Sequence, residues 1–321
     1  MQSSPESSAA RVVVLGTGGT IAGTSASADD NVGYTAAQRG VAQLVAAVPA
    51  LKQLPIETEQ VAQLDSKDMG YAVWRELAQR VEHHLARADV AGVVVTHGTD
   101  TLEETAWFLQ RVLSPAKPVV LTAAMRPATA LHSDGPQNLV DAIAVAHDAH
   151  ARGVVAALAG TLHAARDLRK VHPYRIDAFS SGDAGPIARI EEGRLRHLRD
   201  WPRDGDGVGI SSLPKDAKDW PWVEIVTSGV QADGAAVGAL VSAGVRGLVV
   251  AATGNGSVHV ELESALRAAR QQGVAVLRAT RCLDGTIIEP ASAEPDELPS
   301  AGDLTPVKAR VELLLRLLRP R

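Results

Sequence analysis

Short apolar runs alternate along this chain with longer amphipathic segments. This pattern is typical of parallel strands joined by helical crossovers. We therefore predict an α/β fold, with a large N-terminal domain whose mainly parallel sheet is flanked by helices, and a smaller C-terminal α/β domain. The predicted strands lie near residues 12–16, 92–96, 118–123, 153–159, 222–227, 248–252 and 274–279.

The clearest predicted helix begins after "THGTDT". Its apolar residues fall on one face: Leu102, Ala106, Leu109 and Leu113. Thr101 and Glu104 have the spacing of a capping box, in which two side chains bind backbone N–H groups at the start of a helix. Thr99 and Asp100 are therefore predicted to lie in a strand-to-helix turn.

The composition changes near the end of the second third of the chain. Residues 201–220, "WPRDGDGVGISSLPKDAKDW", are rich in Gly, Pro, Asp and Lys and show little periodicity. We interpret residues 201–221 as an interdomain linker. It separates an N-terminal domain over residues 1–200 from a C-terminal domain over residues 222–321, and both have ordinary domain sizes.

Composition and charge restrict the class of partner. The chain has 321 residues, 45% of them hydrophobic, and a net charge of -5. This charge gives no general attraction to nucleic acid or anionic membranes, so we expect a small-molecule partner.

The one cysteine, Cys282, permits no intrachain disulfide, and we expect its side chain to be at least partly buried. The N-terminal segment lacks the pattern of a signal peptide or membrane helix, which predicts a cytoplasmic protein.

A glycine-rich loop, "GTGGTIAGT", follows the first predicted strand, but it matches neither common phosphate-binding motif. A dinucleotide-binding fingerprint that begins at Gly16 and Gly18 requires a third glycine where Ile21 stands. A Walker loop between Gly18 and Gly23 requires a lysine where Thr24 stands. The loop is therefore a poor candidate for a phosphate site.

The same loop presents Thr17 and Thr20 at the carboxyl end of a strand, where open α/β sheets bind ligands. A threonine hydroxyl becomes a nucleophile when a base or a positive neighbour assists it. A second stretch, "VVVTHGTDTLEETAWF", repeats the arrangement and adds Asp100 beside Thr99. Two such turns could meet at one edge of a sheet. A tight turn with solvated threonines, and ordinary helix capping by Asp100 and Thr101, account for these residues as well.

These two turns resemble the signatures of the bacterial L-asparaginase and glutaminase-asparaginase family, "TGGTIA" and "HGTDT", which stand unbroken at residues 17–22 and 97–101. The resemblance covers nearly the whole chain and continues through "YTAAQRGVAQLVAAVP", "DSKDM", "TAAMRPATALHSDGPQNL", "ARDLRK", "GNGS" and "TPVKARV". It implies hydrolysis of L-asparagine to L-aspartate and ammonia by a threonine nucleophile, with no cofactor or metal. It also implies a homotetramer, with active sites between the large domain of one subunit and the small domain of another.

The resemblance assigns catalytic roles to five residues of this chain. Thr20 is the residue that attacks the side-chain amide, and Tyr34, in a flexible segment, closes over it. Thr99, Asp100 and Lys170 resemble the second catalytic cluster of the family, in which Lys170 polarises Thr99.

Three further residues resemble the family's site for the α-amino and α-carboxylate groups of the substrate: Asp65, Ser66 and Gly98. Elementary chemistry agrees with this assignment. A zwitterion needs a carboxylate for its ammonium group, and hydroxyl and backbone N–H donors for its carboxylate.

Two positions near the C-terminus concern the choice of substrate. Ser257 follows "GNG", where family members biased to asparagine often carry a second asparagine, so the resemblance is to members with glutaminase side activity. The acidic residue that a neighbouring subunit lends falls in "IIEPASAEPDELPSAG", where we choose Glu294, with Glu289 as the alternative.

Two other functions stay open at this point. An amidotransferase subunit that liberates ammonia would be expected to carry an additional N-terminal module, and the first predicted strand begins close to the start of this chain. A non-catalytic protein that binds an amino acid or a nucleotide would bind its ligand without releasing ammonia.

Overall fold

The computed structural model describes residues 10–202, 205, 207–289 and 298–319. The chain divides into two compact units, Met1–Ile210 and Ser211–Arg321, each with its own sheet. No helix among the described residues is both long and apolar enough to cross a membrane.

The first unit alternates strands and helices. Its described strands are β1 (Arg11–Gly18), β2 (Ile56–Leu64), β3 (Val90–Thr96), β4 (Val119–Thr122), β5 (Val154–Leu158), β6 (Thr161–Ala164), β7 (Arg169–Lys170), β8 (Phe179–Ser180), β9 (Ala188–Glu191) and β10 (Arg194–His197). Its described α-helices are α1 (Val41–Ala46), α2 (Tyr71–Leu85), α3 (Leu102–Leu113) and α4 (Gly135–His147).

Eight of these strands form one sheet in the order β10-β9-β6-β5-β4-β3-β1-β2. The pairs from β2 to β5 are parallel, whereas β5, β6, β9 and β10 pair in antiparallel fashion. The short strands β7 and β8 form a separate hairpin. The predicted α/β class with a mainly parallel sheet is thus confirmed.

The central strands are buried on both faces, which is why they appear in the sequence as unbroken aliphatic runs. Residues 12–15 of β1 and 93–95 of β3 are fully buried. Strand β2, "IETEQVAQL", was not predicted, because it lies at the edge of the sheet and most of its residues are partly exposed. Its polar residues hide the strand pattern.

Two local predictions are wrong. The side chain of Thr101 does not cap α3, because its hydroxyl donates instead to the Ser66 carbonyl at 2.8 Å. The side chain of Cys282 is exposed rather than buried. The outcome at Thr101 depends on Ser66, which is distant in sequence.

The second unit is a small three-layer α/β unit. Its parallel strands are β11 (Val223–Thr227), β12 (Gly247–Ala252) and β13 (Ala275–Thr280), and its described α-helices are α5 (Ala235–Ser242), α6 (Val260–Gln271) and α7 (Pro306–Leu318). Helices α5 and α6 share a core with Leu248 and Val250 of the central strand. Helix α7 packs on all three strands.

Candidate active site

Three neighbouring parallel strands of the first unit end at the same edge of the sheet. Strand β1 lies between β2 and β3, with Gly18 opposite Leu64 and Gly16 opposite Thr96. The segments that follow these strands carry Ser66, Thr20 and Thr99. The carboxyl ends of parallel strands are where open α/β sheets bind ligands, so this edge is the candidate active site.

Two glycines allow the three segments to pack against one another. Gly19 has a φ of +80°, and a Cβ placed on it would lie 2.3 Å from the Cα of Gly98. A Cβ on Gly98 would lie 2.4 Å from the Oγ of Ser66. Any larger residue would push the segments apart, so these glycines serve the close approach of backbone to backbone.

The two threonines of the glycine loop have different partners. Thr17 is buried, and its hydroxyl donates to the Thr96 carbonyl at 3.0 Å, between strands. Thr20 begins a short 3-10 helix, Thr20–Ala22, and is 7% exposed. Its Oγ1 lies 2.6 Å from the Oη of Tyr34. The structure therefore ties Thr17 to the sheet and pairs Thr20 with a phenol.

Tyr34 is carried by a segment whose two ends are joined. Thr24 and Thr35 exchange backbone hydrogen bonds of 2.9 Å in each direction. The segment also contacts the loop before α4, where the N–H of Ser25 donates to Thr129 Oγ1 at 2.8 Å. These contacts hold Tyr34 over Thr20.

Thr99 belongs to a charged cluster. The ammonium group of Lys170 donates to Thr99 Oγ1 at 2.9 Å and to Asp100 Oδ1 at 2.6 Å. The Lys170 side chain is 18% exposed and that of Asp100 is 53% exposed. Because an ammonium group has no acceptor, Thr99 must accept, and its own proton is directed elsewhere.

Glu103 is a part of this cluster that the sequence analysis missed. Its Oε1 accepts a hydrogen bond of 3.2 Å from the backbone N–H of Lys170. In the sequence, an acidic residue in the first turn of α3 is accounted for by the helix dipole alone. The contact joins residues far apart in the chain, and the local pattern carries no signal for it.

Ser66 connects the end of β2 to the turn after β3. It is 2% exposed, and its Oγ accepts the backbone N–H of Asp100 at 3.2 Å. The hydroxyl of Thr101 donates to its carbonyl. Since Ser66 Oγ acts as an acceptor here, its own hydroxyl proton can be donated to a ligand.

Asp65 precedes Ser66 and forms an ion pair with Lys67, in which Nζ lies 2.8 Å from Oδ2. This hydrogen bond raises the pKa of Lys67. The lysine is exposed, and an exposed ion pair contributes little to stability. A ligand ammonium group can therefore replace Lys67 at this carboxylate at a small free-energy cost.

His97 lies inside the turn and is fully buried. Its Nδ1 donates to the Gly98 carbonyl at 2.7 Å, so Nε2 must be the acceptor for the hydroxyl of Thr105 at 3.0 Å. Trp74 Nε1 in turn donates to that hydroxyl at 2.9 Å. Burial lowers the pKa of His97 to about 4, so a neutral imidazole supports the backbone of this turn.

Two predicted residues of the second unit, Ser257 and Glu289, lie on or near one turn. Ser257 is exposed, and its N–H donates to the Thr253 carbonyl at 2.8 Å. Both carboxylate oxygens of Glu289 accept hydrogen bonds from Arg278, at 2.9 and 2.7 Å. Glu294 lies outside the described residues.

No group of three or more His, Cys, Asp or Glu side chains in the described part of the chain is arranged to hold a metal ion.

Comparison with known proteins identifies the class of protein. The family described as "Asparaginase, N-terminal" matches residues 11–203, and "Glutaminase/Asparaginase C-terminal domain" matches residues 222–320. The glutaminase-asparaginase of Pseudomonas fluorescens biotype A is 38% identical over 314 residues, which cover 96% of this chain and 86% of that protein. L-asparaginase 2 of Escherichia coli K12 is 37% identical over 314 residues, which cover 95% of this chain and 88% of that protein.

A solved structure agrees with this result. The crystal structure of a probable cytoplasmic L-asparaginase from Campylobacter jejuni matches with a TM-score of 0.91 and 37% identity, covering 97% of this chain and 96% of that one. The protein is thus an amidohydrolase in class. More particularly, the chain belongs to the asparaginase family.

Proposed function

We propose that this protein hydrolyses L-asparagine to L-aspartate and ammonia, with Thr20 as the nucleophile. One observation carries the proposal: the threonine turns of two adjacent strands meet at one sheet edge, one paired with Tyr34 and the other with Lys170. A protein that only bound an amino acid would need neither pair.

The reaction is a double displacement. Thr20 Oγ1 attacks the amide carbon, the C–N bond breaks, and ammonia leaves with the proton that the threonine hydroxyl loses. Tyr34 Oη, at 2.6 Å, is within reach of that proton. Water then attacks the acyl-enzyme ester, which releases L-aspartate and restores the hydroxyl.

The second threonine supports the reaction electrostatically. Lys170 donates to Thr99 Oγ1, so the proton of Thr99 is available for the substrate amide or for the attacking water. Asp100 holds the ammonium group and offsets its charge. Preorganised groups of this kind stabilise developing charge without reorganising during the reaction.

Substrate binding uses the end of β2. Asp65 binds the α-ammonium group in place of Lys67. The Ser66 hydroxyl and the backbone at Gly98 bind the α-carboxylate. With both α-groups bound in this way, the side-chain amide of the substrate is directed towards the two threonine turns.

We further propose a homotetramer in which a neighbouring subunit supplies Glu294. The alternative, Glu289, already accepts hydrogen bonds from Arg278 Nη2 at both carboxylate oxygens, which supports Glu294 as the acid that the neighbouring subunit supplies. Mixing a Glu294→Ala chain with an inactive Thr20→Ala chain should restore some activity through hybrid sites. Verified subunit exchange without recovery would contradict this assignment.

Ammonia release from L-asparagine and from L-glutamine, measured with and without EDTA, tests the proposed function. We expect turnover of asparagine, insensitive to EDTA, and a lower activity on glutamine, because Ser257 stands where family members biased to asparagine carry a second asparagine. Discrimination by one methylene is usually about 1 to 3 kcal/mol. Saturable calorimetric binding of asparagine without any ammonia would show a binding protein instead.

A further inference from the structure

Arg278, in β13, is the residue at which three segments of the second unit meet. Its backbone N–H donates to the Pro299 carbonyl, and its carbonyl accepts from Ala301, both at 2.8 Å. Its guanidinium binds both oxygens of Glu289 and donates to the Gly256 carbonyl at 3.4 Å. One residue thus contacts residues 299–301, Glu289 and the turn that ends at Ser257.

The turn and the segment before Glu289 are joined by a second residue. Asn255 Nδ2 donates to the Ile288 carbonyl at 2.9 Å, and the N–H of Ile288 donates to Asn255 Oδ1 at 2.8 Å. The space between them is filled, because a Cβ on Gly256 would lie 2.9 Å from the Cδ1 of Ile287. The turn and residues 287–289 therefore form one patch.

The ion pair between Arg278 and Glu289 is partly buried. The arginine side chain is 17% exposed and that of Glu289 is 38% exposed. One nitrogen, Nη2, donates to both carboxylate oxygens of Glu289, while Nη1 donates to the Gly256 carbonyl, so a single guanidinium joins Glu289 to the turn. Asn255 contacts only the backbone of Ile288, whereas Arg278 also contacts residues 299–301 and the Glu289 carboxylate.

We infer that Arg278 is a positioning residue for substrate selection, which holds Ser257 in place through Gly256 and Glu289. The inference rests on the proposed function, because Ser257 is assigned there to the choice between amides. Arg278 contacts no reacting group in the described part of the second unit. Its loss is therefore expected to change KM and the ratio of asparagine to glutamine activity, with kcat largely retained.

The test compares Arg278→Met with a matched control, Arg267→Met. Arg267 lines the same cavity of about 290 Å³ as Ser257 and Arg278, and forms an i,i+4 pair with Glu263 at 2.8 Å on α6. We expect Arg278→Met to raise the KM for asparagine about tenfold, to change the ratio of kcat/KM values between the two amides at least threefold, and to change kcat less than threefold. Arg278→Lys keeps the charge but offers one nitrogen in place of Nη1 and Nη2, so it should recover part of the loss.

Glu289→Gln gives a second route if Arg278→Met does not fold. It should raise KM as Arg278→Met does, and the double variant should be no worse than the worse single variant. Unchanged kinetics in a folded Arg278→Met enzyme, or an equal effect of Arg267→Met, would overturn the inference while leaving the proposed function intact. A much larger loss in Glu289→Gln than in Arg278→Met would also overturn it, because Glu289 would then bind substrate itself. Absence of ammonia release by the unmodified enzyme would instead refute the proposed function.

Discussion

The two threonine turns of the first unit have the same topology and different partners. Each follows a parallel strand, β1 or β3, and each presents a hydroxyl at the same sheet edge. Thr20 faces a neutral phenol that can donate or accept, whereas Thr99 faces an ammonium group that can only donate. In the proposed mechanism the partner, rather than the turn, therefore separates the roles: Thr20 loses its proton and Thr99 polarises another group.

The largest expected effect follows removal of the hydroxyl that we assign to attack. Thr20→Ala should lower kcat by at least about 10³-fold while the fold persists, because the small side chain buries little apolar area. Thr17→Val is the matched control. It removes a hydroxyl that donates within the sheet and should cost about 1 kcal/mol of stability with little change in kcat. Steady-state ammonia release gives kcat and thermal unfolding gives the stability of the two variants. A greater loss of kcat in Thr17→Val than in Thr20→Ala would contradict the comparison.

Removing the charge at the second turn should have the next largest effect. Lys170→Met keeps the aliphatic stem and should lower kcat about 10²-fold, because Thr99 loses its donor. Lys170→Arg retains the charge with a different geometry, so its kcat should lie between those of the unmodified enzyme and Lys170→Met. Full activity of Lys170→Met at any pH would show that Thr99 acts without polarisation.

The two turns should also act as one unit. Thr20→Ala combined with Thr99→Val should be little worse than the worse single variant, since residues that serve one chemical step show non-additive losses. A product of the two separate losses would instead mean that the turns serve independent steps. Turnover of the four proteins, measured at saturating asparagine, distinguishes these outcomes.

Glu103 should sharpen the comparison, with a smaller effect. Glu103→Gln weakens the contact that places the Lys170 backbone, so we expect kcat to fall about tenfold, less than in Lys170→Met. The neighbouring substitution Glu104→Gln, in the same first turn of α3, is the control for the helix dipole. Equal losses in both variants would assign the effect to the helix rather than to Lys170.

The smallest expected effect is on stability and depends on pH. His97 has a pKa of about 4 when folded and about 6.5 when unfolded. Below pH 6.5 His97 binds a proton in the unfolded chain but stays neutral in the folded protein. The stabilisation is therefore complete above pH 6.5, and the free energy of unfolding falls by up to about 3 kcal/mol as the pH drops to 4. His97→Gln should flatten this part of the profile of unfolding free energy against pH, and His83→Gln, at an exposed position on α2, should not. Chemical denaturation at several pH values gives the unfolding free energy of each variant. The same dependence of this free energy on pH in both variants would contradict the assignment to His97.

How much of this could be predicted from sequence depended on the range of each interaction. Strands β1 and β3 were found because their burial on both faces leaves unbroken aliphatic runs, whereas the polar edge strand β2 was missed. The predicted cap at Thr101 failed because Ser66, 35 positions away, competes for the hydroxyl. Lys170 lies 71 positions from Thr99, and only the family resemblance indicated that the two belong together. The local pattern of apolar and polar residues predicts individual helices and strands. Contacts between the ends of different strands depend on the sheet topology, which the local pattern does not reveal.

The central claim is that Thr20, and not Thr99, forms the bond to the substrate. An electrophilic asparagine analogue, followed by digestion and mass spectrometry, tests it most directly. We predict a label on Thr20 in the unmodified enzyme, no label in Thr20→Ala, and a slower label on Thr20 in Lys170→Met. A label on Thr99 in the unmodified enzyme, with none on Thr20, would reverse the roles of the two turns and contradict this account.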